Sequence, residues 1–305
     1  MRSVRTVCIF ILVLAAVQLK AQDFPFHYFT IINPMVNNPS FAAHESKIKA
    51  DMAAYNLWAG GYKPISDYML SFSVEPDLRK RERKSRNLPW VGLGASVLKE
   101  RIGPFNQFIF NAIYSYHIPF SRTSRLSFGI SGIVENLNID VNSLTPNYSG
   151  DPRLVNGNNS SIVIDGGFGT TYRNKDFQIS FSAINLAPAT FRFDDSPAKD
   201  ISRNRKLFLT GSYDFKLSEK IGFKPEVTIR NSIQNEINYD ISIKSGLSFF
   251  ALGLGYRSEN SIFIFSQVFY HDFVFSYFSE NPLQSKHMIG SGHTFAVGWS
   301  MKSLR

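Results

Sequence analysis

The sequence predicts an all-β fold: a transmembrane antiparallel β-barrel of about fourteen strands behind an N-terminal segment that is either periplasmic or plug-like. Three observations predict it. Apolar and polar residues alternate with period two from about residue 47 to the end of the chain. The alternating runs are commonly about ten residues long, which matches the roughly 9 to 11 that a tilted strand needs to cross hydrocarbon and is about twice the usual soluble strand. The connections between runs are long on one side and short on the other, the asymmetry of bacterial barrels.

The chain opens with Arg2 and Arg5 ahead of an apolar run from Val7 to Val17. That run is shorter than the ~20 residues of a membrane helix and has the form of an export signal, with residues 1–21 removed and Gln22 left as the first mature residue. The single cysteine, Cys8, lies in this leader, so the mature chain is expected to carry out no thiol chemistry and to form no disulfide. Residues 22–46 are aromatic and contain Asn33-Pro34 and Asn38-Pro39. Two readings of this segment stay open, a plug inside the lumen and an ordered periplasmic extension. No Gly/Ser-rich or Pro-rich linker divides the remainder, so residues 47–305 form one barrel domain.

The expected strands run Lys47 to Trp58, Tyr68 to Glu75, Trp90 to Arg101, Gln107 to Ile118, Arg125 to Leu137, Ile162 to Arg173, Phe177 to Leu186, Lys206 to Lys216, Ile221 to Asn231, Asn238 to Phe249, Ala251 to Arg257, Ser261 to Tyr270, Asp272 to Ser279 and His293 to Lys302. Alternation sets Val227 and Ile229 against Glu226, Thr228 and Arg230, so charges stand in mid-strand. A lumen explains them, because in a barrel the polar face meets an aqueous interior. Asp165, Glu226, Arg230, Asp240 and Lys244 either line a solute path or pair to fill a closed interior. Pairing is favoured, since both signs are present and an unpaired buried charge is costly. Tyr55, Trp58, Trp90, Tyr114, Tyr116, Tyr172, Tyr256, Tyr270 and Trp299 lie near strand ends and suit interfacial girdles.

Counted from the N-terminus, the connections near 138–161, 187–205 and 280–292 fall on the far side, and those at 119–124, 174–176, 217–220, 250 and 271 are short and near. One near-side loop breaks the rule. Pro76 to Pro89 carries Arg79, Lys80, Arg81, Arg83, Lys84 and Arg86, a local source for much of the net charge of +9. A single loop is not a nucleic-acid-binding surface, so no nucleic acid partner is expected. The loop is either a solvated turn or a docking site for an acidic periplasmic partner or anionic headgroups, where each basic side chain contributes about 1 kcal/mol.

Nothing in the sequence assembles a catalytic, metal or cofactor site. His271-Asp272, His287 and His293 are the candidates for a triad, but adjacent strand residues face opposite ways. His27, His44 and His117 are scattered, without ligand spacing. Gly92-Leu93-Gly94 and Gly253-Leu254-Gly255 lie within strands and are better explained by barrel bends than by phosphate loops.

From Gln22 onward the order and spacing of short motifs resemble the PorP/SprF family of type IX secretion outer-membrane proteins of Bacteroidetes. The motifs are Asn33-Pro34 and Asn38-Pro39-Ser40-Phe41-Ala42, Tyr55 to Gly60 with Trp58 followed by Pro64, Gly92-Leu93-Gly94 leading to Gly103-Pro104, Tyr114-Ser115-Tyr116, Asp151-Pro152 and Ser182 to Leu186. The chain ends Ser303-Leu304-Arg305, where barrels often close on an aromatic. The resemblance implies an integral, non-enzymatic barrel in the cell outer membrane, reached by signal-peptide export. It also implies a role in type IX secretion, surface presentation or gliding motility. The implied partners are outer-membrane lipid and either secretion components or a secreted adhesin-like protein with a C-terminal targeting domain. The alternative is an outer-membrane channel or transporter for small solutes.

Overall fold

The computed structural model describes residues 27–57, 65–76, 88–140, 160–187, 189–192, 201–218, 221–231, 237–283 and 290–302. The strands are β1 (Ser46–Leu57), β2 (Ile65–Val74), β3 (Trp90–Ile102), β4 (Phe105–Pro119), β5 (Arg125–Ile139), β6 (Ser160–Arg173), β7 (Phe177–Ile184), β8 (Ala189–Phe191), β9 (Ile201–Arg203), β10 (Lys206–Tyr213), β11 (Phe215–Lys216), β12 (Gly222–Asn231), β13 (Ile237–Leu247), β14 (Phe250–Arg257), β15 (Ser261–Tyr270), β16 (Phe273–Pro282) and β17 (Gly292–Lys302). β8 and β9 form a separate hairpin and β11 extends a turn; the other fourteen strands make the wall. Each wall strand pairs antiparallel with its neighbours in sequence. The sheet closes where β1 meets β17, with Ala53 opposite Ala296, and is continuous where β10 meets β12. Closure gives every wall strand a hydrogen-bonded neighbour on both sides, as hydrocarbon demands because lipid cannot bond backbone groups.

Alternation sorts the two faces. On β4, Phe108, Phe110, Tyr114 and Tyr116 are exposed outward while Ile109, Asn111, Ile113, Ser115 and His117 are buried inward. On β13, Tyr239, Ile241 and Ile243 face out between Asp240, Ser242 and Lys244. The outer surface is a continuous apolar band, and lipid tails are the solvent such a band requires. One rim carries the short turns, among them 120–124, 174–176 and 271–272, with His271 at φ 52. The opposite rim carries the β8/β9 pair and two tight turns, Gly103 (φ +56) with Pro104 between β3 and β4, and residues 258–260 between β14 and β15, with Asn260 at φ 66.

Three expectations change. Tyr55 and Trp90 are not girdle residues, since Tyr55 is 3% exposed and sits over Gly292, and Trp90 reaches into the lumen. Tyr55 shares the parity of Asp51 and Ala53 on β1, which turns it inward. Gly253 and Gly255 serve cross-strand packing, because the rings of Phe265 and Phe263 on β15 lie where a Cβ would stand, 2.0 and 2.1 Å away. The predicted strand from Lys206 to Lys216 is interrupted at Asp214, which separates β10 from β11.

Candidate functional site: the occupied lumen

The described residues ahead of β1, from Phe29 to Glu45, lie against the inward faces of β1 to β7. A one-and-a-half-turn helix, α1 (His27–Ile32), leads into two short 3-10 turns, Pro34–Val36 and Pro39–Phe41. Each turn is built alike. An asparagine caps it, with Asn33 Oδ1 accepting from Met35 N at 3.0 Å and Asn38 Oδ1 accepting from Ser40 N at 3.0 Å, and a proline holds the first position. The caps leave the amide nitrogens free to reach the wall. Asn33 Nδ2 donates to Asp51 Oδ2 at 2.7 Å and Ser71 Oγ at 2.8 Å, and Asn38 Nδ2 donates to the Phe181 carbonyl at 3.4 Å.

Further along, Ser40 Oγ meets Thr171 Oγ1 at 2.7 Å, Ser115 Oγ donates to the Ala42 carbonyl at 2.7 Å, and Trp90 Nε1 donates to the Ala43 carbonyl at 3.1 Å. His117 stacks under Trp90 with ring centres 4.7 Å apart and bonds Ser127 Oγ, which also reaches His44 Nδ1 at 3.2 Å. Arg173 pairs with Glu45 at the rim. Burial holds the His44 ring well below its ordinary pKa, and the nearby Arg125 and His117 push the same way, so it docks as a neutral imidazole.

The wall is shaped to receive this backbone. A Cβ on Gly92 would stand 2.2 Å from the Ala42 carbonyl oxygen, one on Gly129 2.3 Å from Pro39 C and Ser40 N, and one on Gly169 2.0 Å from Asn38 Oδ1. Three inward glycines on β3, β5 and β6 therefore form a cradle that any larger residue would fill. Ser40 and Ala42 are completely buried in it, and Phe29 is completely buried in a separate apolar cluster that includes Val36, Ala53, Tyr55 and Phe263.

The other half of the lumen is charged. Arg230 bridges Glu259 at 2.7 Å and Asp240 at 3.5 Å, and Arg257 bridges Asp240 at 3.3 Å and also pairs with Glu280. Lys244 bonds Gln267 and Lys224 lies 3.7 Å from Glu226, whereas the group of Arg203 with Asp165, at 3.4 Å, and Glu135 stands on β9, β6 and β5, outside this half. A cavity of about 380 Å³ separates the N-terminal segment from this wall. Among the described residues no group of His, Cys, Asp and Glu has the geometry to hold a metal ion.

Of the residues singled out in the sequence, Asn33, Pro34, Asn38 and Pro39 come together in the docked segment, while Gly103 and Pro104 turn the chain at the opposite rim. Trp58, Pro64 and the basic residues Arg79, Lys80, Arg81, Arg83, Lys84 and Arg86 lie outside the described residues, as do residues 1–21. The loop holding the basic residues leaves β2 at the short-turn rim, where Glu75 N bonds the Lys47 carbonyl. Sequence reasoning missed Asp51, Ser71, Ser115, Ser127 and Thr171 as partners of the segment. Their signal was small polar residues at inward positions beside inward glycines.

The family described as "Type IX secretion system membrane protein PorP/SprF" matches residues 18–299. No curated protein matches the chain. Among solved structures, the Pseudomonas putida toluene transporter TodX is 10% identical with a TM-score of 0.51, covering 88% of this chain and 93% of its own. The CymD monoaromatic hydrocarbon channel is 10% identical with a TM-score of 0.50, covering 94% and 96%. At these identities the likeness is one of fold, that of outer-membrane barrels.

Proposed function

Because the chain belongs to the PorP/SprF family of type IX secretion system membrane proteins, we propose that it serves secretion as a binding platform in the outer membrane, with no catalytic step of its own. The observation that carries this reading is the occupied lumen. A conduit for solutes needs a continuous aqueous path, whereas here the chain's own segment from Phe29 to His44 is bonded to seven strands and seated on glycines. The surfaces left for partners are then the two rims.

In this reading the leader 1–21 directs export, the segment from residue 22 to residue 46 acts as a plug, and the short-turn rim faces the periplasm. The basic loop from Arg79 to Arg86 then meets an acidic periplasmic component of the secretion apparatus, and the long-loop rim meets a secreted adhesin-like client carrying a C-terminal targeting domain. Neutralising Arg79, Lys80, Arg81, Arg83, Lys84 and Arg86 with glutamine tests it by co-purification from membranes. Insertion is expected to persist while recovery of the secretion component falls about tenfold or more, a loss of only about 1.4 kcal/mol where each basic side chain contributes about 1 kcal/mol. Unchanged recovery removes the docking role. A steady open-channel current from the unaltered protein in planar bilayers points instead to a small-solute channel.

A further inference from the structure

Just ahead of β1, the docked segment carries a histidine that has nowhere to put a second proton. His44 is 2% exposed, with its ring centre 5.0 Å from that of Phe41 and 5.7 Å from that of His117. The hydrogen bonds assign the protons on both imidazoles. The Ala42 carbonyl can only accept, so His117 carries its proton on Nε2, 2.8 Å away. In the neutral ring Nδ1 is then an acceptor, and it takes the Ser127 hydroxyl at 2.7 Å. With that hydrogen committed, Ser127 Oγ accepts from His44 Nδ1 at 3.2 Å. His44 is left with a bare Nε2, buried and without a hydrogen-bond partner.

A proton arriving at Nε2 would meet no acceptor and no compensating charge. The titratable and charged groups that face the ring are His117 on β4, Arg125 on β5, Arg173 on β6 and Lys224 on β12, and a charge on any of them opposes one on His44. The carboxylate next in sequence, Glu45, is paired with Arg173. The backbone at this point is strained as well. Ala43 holds φ 52, a left-handed conformation that a Cβ disfavours, while Trp90 Nε1 donates to its carbonyl at 3.1 Å. Undocking relieves that strain and returns the imidazole to water.

Linkage gives the sign of the response. Released, His44 titrates near its ordinary value of roughly 6.5. Docked, burial above all, and then its cationic neighbours, hold it well below that. Above about pH 6.5 neither form takes the extra proton, and docking is indifferent to pH. Below it the released form gains a proton that the docked form refuses, so each unit of pH weakens docking by up to about tenfold until the docked ring itself titrates.

We infer that the segment is fastened by a proton-sensitive latch, in which protonation of His44 at Nε2 frees residues 39–45 from the inner wall while the barrel stays folded. The test is hydrogen exchange of the full-length mature protein in nanodiscs at pH 7.5, 6.5 and 5.5, corrected for the intrinsic pH dependence of amide exchange. The amides of Ser40, Phe41, Ala42 and His44 are all bonded within the docked turn. They are expected to exchange about tenfold faster at pH 5.5 than at pH 7.5, most of the change falling below pH 6.5, with the amides of β4 unaffected.

Two variants remove the titration in different ways. His44→Asn keeps a donor for Ser127 and His44→Phe keeps the ring, and in both the acid response is expected to vanish. Should neither dock at pH 7.5, the imidazole nitrogen NMR signals of the unaltered protein decide, with a proton on His44 Nε2 expected only together with the faster exchange. A flat profile in the unaltered protein, an acid response that survives in either docked variant, equal acceleration in β4, or a protonated Nε2 in a segment that stays docked would each overturn the latch.

Discussion

Gly129→Ala is expected to drive the N-terminal segment out of the lumen and to turn a closed barrel into a conducting one. The added methyl would sit 2.3 Å from Pro39 C and Ser40 N, backbone atoms that no side-chain rotation can move. Overpacking of this kind costs about 1–3 kcal/mol where the neighbours can give, and here both neighbours are backbone in a turn fixed by proline. Adding Gly169→Ala places a second methyl 2.0 Å from Asn38 Oδ1, at the cap of the same turn. The wall itself is not weakened, since alanine in a strand interior is no worse than glycine.

Single-channel recording in planar bilayers is the readout, with the double variant expected to show steady openings that the unaltered protein lacks. Gly132→Ala, on the same strand but with nothing within 4 Å of the place its methyl would take, is expected to stay closed. Openings in Gly132→Ala, or silence in the double variant, would contradict the role given to the cradle.

Arg257→Met is expected to cost the barrel more stability than any other single charge removal. Its guanidinium is 1% exposed and stands between Asp240, at 3.3 Å, and Glu280, so its loss leaves two carboxylates facing each other in the lumen wall. Breaking one partner out of a buried ion group costs about 3–5 kcal/mol. The lower figure applies here, because Asp240 and Glu280 keep 15% and 17% exposure and Asp240 retains Arg230 at 3.5 Å. Urea unfolding in detergent micelles, followed by the mobility difference between folded and unfolded barrels, measures it. Glu280→Gln added to Arg257→Met is expected to recover part of the loss by removing one stranded charge. The rim pair of Arg173 with Glu45, 30% and 63% exposed, sets the contrast at under about 1 kcal/mol.

The wall was legible in the sequence because its rule is local. Every second residue from Phe177 or Tyr239 onward announces its face without reference to anything distant, and both the strand count and the alternation of long and short connections follow from that period. Faces were misjudged only where aromatic character was weighed above parity, as at Tyr55 and Trp90. The cradle was not legible for the opposite reason. Gly92, Gly129 and Gly169 are small because of atoms 50 to 131 residues earlier in the chain, the backbone of Ala42 and Pro39 and the side chain of Asn38, and no local pattern carries that information. The Asn-Pro pairs were visible as turns, but their amides' targets, Asp51, Ser71 and the Phe181 carbonyl, belong to tertiary structure. The end of β7 at Ile184 was hidden as well, since the run from Phe177 to Leu186 looks as continuous as its neighbours and only its pairing shows where it stops.

A cysteine pair tests most directly whether this barrel closes around its own N-terminal segment. Ser40 Oγ and Thr171 Oγ1 lie 2.7 Å apart, one on the segment and one on the inward face of β6, so Ser40→Cys with Thr171→Cys places two thiols within reach of a bond. In protein inserted in membranes, mild oxidation is expected to join them nearly completely, with the cross-linked chain still folded and still closed to ions. A pair that stays reduced in the inserted barrel, while both thiols react freely with a water-soluble maleimide, would mean that the segment lies elsewhere.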